Sequence, residues 1–185
     1  MVTHELRWFV AQAISDDELR AFAANKRLEH RCDSYLRSTD AQRGIKQRGG
    51  AELEDKRRIA SYAMKLDLGD RAVHAAIERW HKRWPRELEL EPEIDHGEWI
   101  DVYKRRAMLV RDDCRVELTG LRVALDGLAT TEFQSLAFET LSNDDPLATI
   151  SRCARSVLLE RPELLKRIFD QPSIGYPAWL ASLAG

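Results

Sequence analysis

Charged residues recur at every second position in several stretches, most clearly in residues 44–58 around a Gly49-Gly50 turn. Successive side chains of a strand point to opposite faces, so Lys46 and Arg48 share one face before the turn. After the turn, the same alternation places charges at Glu52, Glu54, Lys56 and Arg58. Because a half-buried hairpin normally alternates apolar and polar residues, this stretch predicts a hairpin with one charged face.

Other predicted strands also place charged side chains on one face. The shared faces are Thr3, Glu5 and Arg7 in residues 2–10; Arg31, Asp33, Tyr35 and Arg37 in residues 29–38; Val102, Lys104 and Arg106 in residues 99–110; and Arg115, Glu117 and Thr119 in residues 114–125. A single strand of this kind is typical of the solvated face of a sheet. Several in one domain favour a closed barrel, because charged faces then converge on a lumen while apolar faces pack against helices.

Residues 70–84 have the clearest helical spacing in the chain. The side chains that would form one apolar stripe are Val73, Ala76, Ile77, Trp80 and Trp84. Glu78 and Lys82 would pair at i,i+4, and Pro85 would end the helix. The segment is therefore predicted to be a helix that packs against the barrel.

Two other helices are predicted from their capping residues. Ser15 and Glu18 fit a capping box for a helix over residues 13–25. Asp145 followed by Pro146 predicts an N-cap and first helical residue, with the helix ending near residue 160. The remaining predictions are a weakly marked strand over residues 60–68, an exposed loop over residues 86–97, a strand over residues 131–141 after an Asp126-Gly127 turn, and a short helix with a tail over residues 161–185.

Length and composition exclude several classes of protein. The chain has 185 residues, which predicts one domain, and a net charge of -2, which argues against a non-specific nucleic-acid binder. Its three cysteines are far apart and form no CxxC pair, so neither a disulfide framework nor a zinc site is expected. The start lacks the layout of a signal peptide, and no run approaches the ~18 apolar residues of a membrane span. A soluble cytoplasmic protein is expected.

Short catalytic motifs are absent from the sequence. It contains no GxGxxG, Walker, HExxH or GxSxG motif. The Gly49-Gly50 pair predicts a turn rather than a phosphate-binding loop, and the five histidines have no metal-ligand spacing.

Several short motifs nevertheless follow one another in an informative order. They are Thr3-His4-Glu5-Leu6-Arg7, Asp33-Ser34-Tyr35-Leu36, Gly44-Ile45-Lys46-Gln47-Arg48, Leu53-Glu54-Asp55-Lys56, Lys104-Arg105-Arg106 and Arg115-Val116-Glu117-Leu118. Over residues 2–160 the chain resembles the CYTH-like superfamily of triphosphate tunnel proteins. The resemblance implies an α+β fold, with a closed antiparallel barrel of about eight strands and helices packed outside it. Residues 1–185 would form one tunnel domain, with residues 161–185 as a helical tail.

The resemblance also implies roles for individual residues. The phosphate-binding cations would be Arg7, Lys46, Arg48, Lys56, Lys104, Arg106 and Arg115. Glu5, Glu117 and Glu139 would be the catalytic residues that hold Mg²⁺ or Mn²⁺, with Glu54 as a further lumen acid. Two acids of the family pattern are missing, because Thr3 and Ala137 stand in their places, and Arg7 replaces a lysine. Binding of a triphosphate should therefore survive better than its hydrolysis.

Three functions remain open at this point. The first is metal-dependent hydrolysis of a triphosphate or another organic phosphate. The second is a degenerate tunnel that binds a nucleotide, polyphosphate or RNA 5′ end without catalysis; an adenylate cyclase is less favoured, because no base-recognition site is identified. The third is a structural domain with solvated charged faces. In the tail, Tyr176, Trp179 and Leu180 would either cap the core or contact a partner.

Overall fold

Eight antiparallel strands form a closed barrel in the computed structural model, which describes residues 1–24, 26–49, 52–84, 94, 96–125, 129–140 and 144–183. The strands are β1 (Val2–Val10), β2 (Glu29–Leu36), β3 (Arg43–Arg48), β4 (Glu52–Asp67), β5 (Ala72–Arg83), β6 (Trp99–Arg111), β7 (Cys114–Leu125) and β8 (Ala129–Thr140). Their order around the barrel is β1-β5-β4-β3-β2-β6-β7-β8. The predicted α+β class with a closed antiparallel barrel is confirmed.

Among the residues that the structure describes, three helices pack on the outer wall of the barrel, and a fourth lies at one of its ends. They are α1 (Asp16–Phe22), α2 (Pro146–Glu160), α3 (Pro162–Ile168) and α4 (Tyr176–Leu183). The Ser15 capping box is present, although α1 is shorter than predicted. Asp145 caps α2 by accepting a hydrogen bond from the Ala148 backbone N–H at 3.1 Å. None of the helices that the structure describes is long and apolar enough to cross a membrane.

The predicted helix over residues 70–84 is wrong, because this segment forms strand β5. Its backbone pairs with β4 from Ala72 to Arg83 and with the start of β1. Val73 and Ile77 pack in the apolar core outside the barrel, which also contains side chains of α2. Trp80 points into the barrel instead, and the Lys56 ammonium lies 4.6 Å from its ring centroid. A strand that buries opposite faces at different points along its length loses its alternation, and its apolar positions can then imitate a helical stripe.

Most other predicted boundaries fall within a few residues of the observed ones. The first strand of the hairpin is β3, and its second strand continues into the weak strand after it as one strand, β4, with a bulge between Arg58 and Ala60. The β6–β7–β8 meander is present as predicted. Gly50, the Asp126-Gly127 turn, Leu141 and most of the loop over residues 86–97 lie outside the described residues.

Apolar side chains and α4 fill one end of the barrel. Trp179 stacks on Phe9 with 4.3 Å between ring centroids, and Tyr176 stacks on Tyr35 at 5.3 Å. The other buried members of this cluster are Ile100, Val102, Leu121, Val123, Phe133 and Leu180. Of the two alternatives for the tail, its aromatic residues therefore cap the core.

The segment before α4 reaches the interior between β1 and β5. Ile174 donates a backbone hydrogen bond to the Arg7 carbonyl at 2.9 Å, and the Ser173 hydroxyl accepts one from the Ala76 N–H at 2.6 Å. A Cβ at Gly175 would lie 2.6 Å from both the Glu78 carboxylate and the Trp80 ring. Only glycine can therefore approach β5 this closely, and the segment fills the gap where the pairing of β1 with β5 ends.

Candidate functional site

The other half of the lumen is a charged cavity of about 290 Å³ to which all eight strands contribute. Every predicted site residue lines it. β1 supplies Glu5 and Arg7, β3 Lys46 and Arg48, β4 Glu54 and Lys56, β6 Lys104 and Arg106, β7 Arg115 and Glu117, and β8 Glu139. Among the described residues, nine basic and five acidic side chains line the cavity, an excess of four positive charges in a chain whose net charge is -2.

Several lining residues were not predicted as site residues. Arg31 and Tyr35 lie on the predicted charged face of their strand, but no motif marked them as ligands. Lys82 was missed because its strand was interpreted as a helix. Tyr176 comes from α4, and its hydroxyl is buried with no hydrogen-bond partner among the described residues. Tyr176 therefore brings a hydroxyl without a partner among the described residues to the wall of the cavity.

Arg7 joins two of the lumen carboxylates. Its Nε donates to Glu5 Oε1 at 2.7 Å, and its Nη1 lies 3.4 Å from Glu117 Oε1 and 3.0 Å from Ser135 Oγ. Arg7 faces Ala137 on β8, and Ala137 faces Glu117 on β7. Because alanine carries only a methyl group, the guanidinium can extend across this position to the far carboxylate.

Glu117 is fully engaged by its neighbours. Arg106 Nε donates to Glu117 Oε2 at 3.0 Å, and Thr119 Oγ1 donates to Oε1 at 2.9 Å. Burial opposes ionisation, but the guanidinium groups of Arg7 and Arg106 hold the pKa of Glu117 well below its usual range. The carboxylate is therefore an anion bound by two cations.

The other two predicted metal ligands are paired in the same way. Glu5 also accepts from Lys56 Nζ at 2.5 Å. Glu139 accepts from Lys82 Nζ at 3.0 Å and from Arg115. Each of the three glutamates is thus contacted by two basic side chains, and the described residues contain no group of three side chains placed to hold a metal ion. This donor arrangement does not fit a divalent ion, because basic side chains already bind the three carboxylates. The Mg²⁺ or Mn²⁺ site implied by the resemblance stays a prediction.

Lys104 and Lys46 are the two lysines with a lowered pKa. Lys104 Nζ donates to Asp33 Oδ2 at 2.7 Å and to the Tyr35 hydroxyl at 2.6 Å, and lies 4.3 Å from the Tyr176 ring centroid. Burial and the nearby Lys46 ammonium hold the pKa of Lys104 well below its usual value. Burial also lowers the pKa of Lys46 to about 8, despite the attraction of Glu54. An anion in the cavity would stabilise the charged form of both.

The chain is similar in structure to 15 chains of solved proteins, and the three described here have very low sequence identity to it. The RNA triphosphatase Pct1 of S. pombe has a TM-score of 0.46 and 11% identity over 90% of this chain and 84% of that chain. Pct1 in complex with the Spt5 CTD has a TM-score of 0.47 at the same identity and coverage. A candidate adenylate cyclase from Bacillus halodurans has a TM-score of 0.39 and 11% identity over 84% of this chain and 91% of that chain.

The sequence itself matches no protein-family model and no curated protein. Similarity at this level says nothing about a shared substrate, so the chemistry rests on the residues of the lumen. The chain is a closed barrel of eight antiparallel strands around a charged lumen, the architecture that the resemblance to CYTH-like tunnel proteins predicts.

Proposed function

We propose that the lumen binds a phosphate-rich anion, such as a triphosphate or another organic phosphate. The observation that carries this proposal is the excess of four positive charges lining the cavity. A solvated sheet face would not need such an excess, and here the charged faces converge inside the barrel. A multiply charged anion would neutralise a cavity that is otherwise costly to keep desolvated.

The chemistry of the lining side chains supports phosphate in particular. Arginine can donate two parallel hydrogen bonds to phosphate oxygens, and lysine adds a compact charge. Arg48 and Arg115 are 41% and 45% exposed and can meet an incoming ligand. Deeper in the cavity, the Tyr176 hydroxyl and the Lys104 ammonium could donate to the same ligand.

Metal-dependent hydrolysis is the second candidate function. The observation that favours it is the register of β1 and β8, which places Glu5 directly opposite Glu139. The resemblance implies that Glu5, Glu117 and Glu139 hold Mg²⁺ or Mn²⁺, which would activate a water. Because basic side chains bind all three carboxylates, binding without turnover is the function that the geometry supports best.

A titration with tripolyphosphate tests the proposed binding. We expect a low micromolar Kd by calorimetry, and stabilisation against thermal unfolding of about 2.7 kcal/mol at a ligand concentration of 100 times Kd. Lys56→Met should weaken binding about tenfold to a hundredfold, because it removes one charged contact. Lys65→Met is the matched control on the same strand, since Lys65 is 56% exposed and lies outside the cavity.

The same titration separates the alternatives. No binding, or equal losses in the Lys56 and Lys65 variants, would refute a lumen site. Phosphate release from a panel of nucleoside, thiamine and inorganic triphosphates should be absent if the tunnel only binds. Release that requires Mg²⁺ or Mn²⁺ would select hydrolysis instead, and the preferred compound would name the substrate class.

The affinity for tripolyphosphate is expected to depend on pH through Lys46. A bound anion favours the protonated lysine, so affinity should be highest below the Lys46 pKa of about 8. Above that pH it should fall by up to about tenfold per pH unit, because a proton must be taken up on binding. The charged groups that face Lys46 are Glu54, Arg48, Asp33, Lys56 and Lys104.

Calorimetry over a pH series checks this dependence. Lys46→Arg is the matched variant, because its guanidinium stays protonated over the whole range while the ligand titrates identically. Its profile should be flatter than that of the wild type. Equal slopes in the two proteins would assign the titration to another group.

A further inference from the structure

We propose that Arg7 takes the place of a divalent ion in this lumen, so that the phosphate ligand binds without Mg²⁺ or Mn²⁺. The inference rests on the proposed function and defines how the same cavity recognises its ligand. It follows from what surrounds the Arg7 guanidinium rather than from the total charge of the cavity. A fixed cation of the chain, part of the folded protein, would do what a bound metal does elsewhere.

Arg7 occupies the position of a bridging cation. It contacts Glu5 at 2.7 Å and Glu117 at 3.4 Å, two carboxylates that come from different strands. A metal held by these two carboxylates would have to displace the guanidinium from at least one of them. The displaced charge would then remain beside the metal, because Arg7 is only 7% exposed and cannot leave the lumen without local unfolding.

At the position between Arg7 and Glu117, the neighbouring strand β8 supplies no carboxylate that would favour a metal over the guanidinium. Ala137 lies between Arg7 and Glu117 in the sheet and offers only a methyl group. The third carboxylate, Glu139, is held by Lys82 and Arg115. Mg²⁺ prefers a near-octahedral shell of oxygens. In this part of the lumen, the carboxylate oxygens instead accept hydrogen bonds from arginine and lysine nitrogens.

The guanidinium is also fixed from its other side. It lies 4.8 Å from the ring centroid of Tyr176 and 5.9 Å from that of Phe9, and its Nη1 donates to Ser135 Oγ at 3.0 Å. Such a preorganised cation can present its remaining N–H groups to a phosphate at little cost in side-chain entropy. The binding competence of the lumen is therefore part of the fold.

Calorimetric titration with tripolyphosphate in EDTA and in excess Mg²⁺ tests this inference. The Mg²⁺ arm is corrected for the metal that tripolyphosphate binds in solution. We expect the same wild-type Kd in both arms within about twofold. Mn²⁺ added alone, followed by electron paramagnetic resonance, should show no stoichiometric binding to the wild type. Both measurements use the unmodified full chain.

Substitution of Arg7 should reverse this behaviour. Arg7→Gln is expected to weaken binding in EDTA about tenfold to a hundredfold. It should also bind Mn²⁺ through Glu5 and Glu117, each of which then keeps only one basic partner, Lys56 or Arg106. Arg7→Lys keeps the positive charge but loses the paired N–H donors of the guanidinium, and it should still exclude Mn²⁺. Arg58→Gln is the control, since Arg58 pairs with Glu78 at 2.6 Å but does not line the cavity.

The outcomes separate this inference from the proposed function. Wild-type binding that appears only with Mg²⁺ or Mn²⁺, or stoichiometric Mn²⁺ binding by the wild type, would overturn the role of Arg7 alone. No binding in either arm would overturn the proposed function, and this inference with it. If Arg7→Gln does not fold, the two wild-type arms and Arg7→Lys still decide.

Discussion

Replacing Trp179 by alanine is expected to lower the free energy of unfolding by about 3–5 kcal/mol. Trp179 is 3% exposed inside the end of the barrel. Its ring stacks on Phe9, and Phe133 and Tyr176 meet it edge-on. The resulting cavity cannot collapse easily, because its walls are paired strands of a closed barrel. Urea unfolding followed by circular dichroism measures the change.

Leu159→Ala is the control for this large-to-small substitution. Leu159 lies on α2 and is 50% exposed, so its loss should change stability by no more than about 0.5 kcal/mol. Similar effects in the two variants would contradict the position of α4 inside the barrel. A stable Trp179 variant would mean that the C-terminal segment contributes little to the fold.

Asp33→Asn should lower the free energy of unfolding by about 3 kcal/mol. Asp33 is fully buried and accepts a hydrogen bond from Lys104, which is 4% exposed. Removing the acid leaves the ammonium without its main counter-ion. Burial already lowers the pKa of Lys104, and loss of the Asp33 carboxylate should lower it further and favour the neutral amine. Tripolyphosphate binding should then weaken as well.

Two further variants make the Asp33 prediction specific. Asp17→Asn is the exposed control, since Asp17 is 96% exposed in its pair with Arg20, and it should change stability by no more than about 0.5 kcal/mol. The double variant Asp33→Asn with Lys104→Met removes both charges and should recover part of the lost stability. Losses that simply add in the double variant would show that the pair is not coupled.

The charged lumen could be predicted from the sequence because charged residues, and not apolar ones, occupy the inward face of several strands of this barrel. Glu5 and Arg7, or Arg115 and Glu117, stand at alternate positions, and polar faces of this kind on many strands can only converge or face solvent. Parity therefore identified the side chains that share the cavity. It could not tell which carboxylate pairs with which cation, since Arg7 and Glu117 lie 110 residues apart in the sequence.

Two elements escaped prediction for a related physical reason. β5 buries one face at Val73 and Ile77 and the other face at Trp80, so its apolar residues do not keep the alternation that marks a half-buried strand. The position of α4 depends on contacts such as Phe9 with Trp179, which join the two ends of the chain. Local spacing carries no information about such contacts, and the tail therefore could be expected either to cap the core or to meet a partner.

The filled end of the barrel determines how a linear ligand can enter. A through-going channel would let a polymer thread past its binding groups, so that internal and terminal phosphates would be treated alike. Here α4 places Tyr176 across the path, and a chain can enter only end first. If the lumen binds phosphate as proposed, it distinguishes the terminal phosphates of a polyphosphate or an RNA from internal ones. The depth of the cavity then sets how many phosphates are bound.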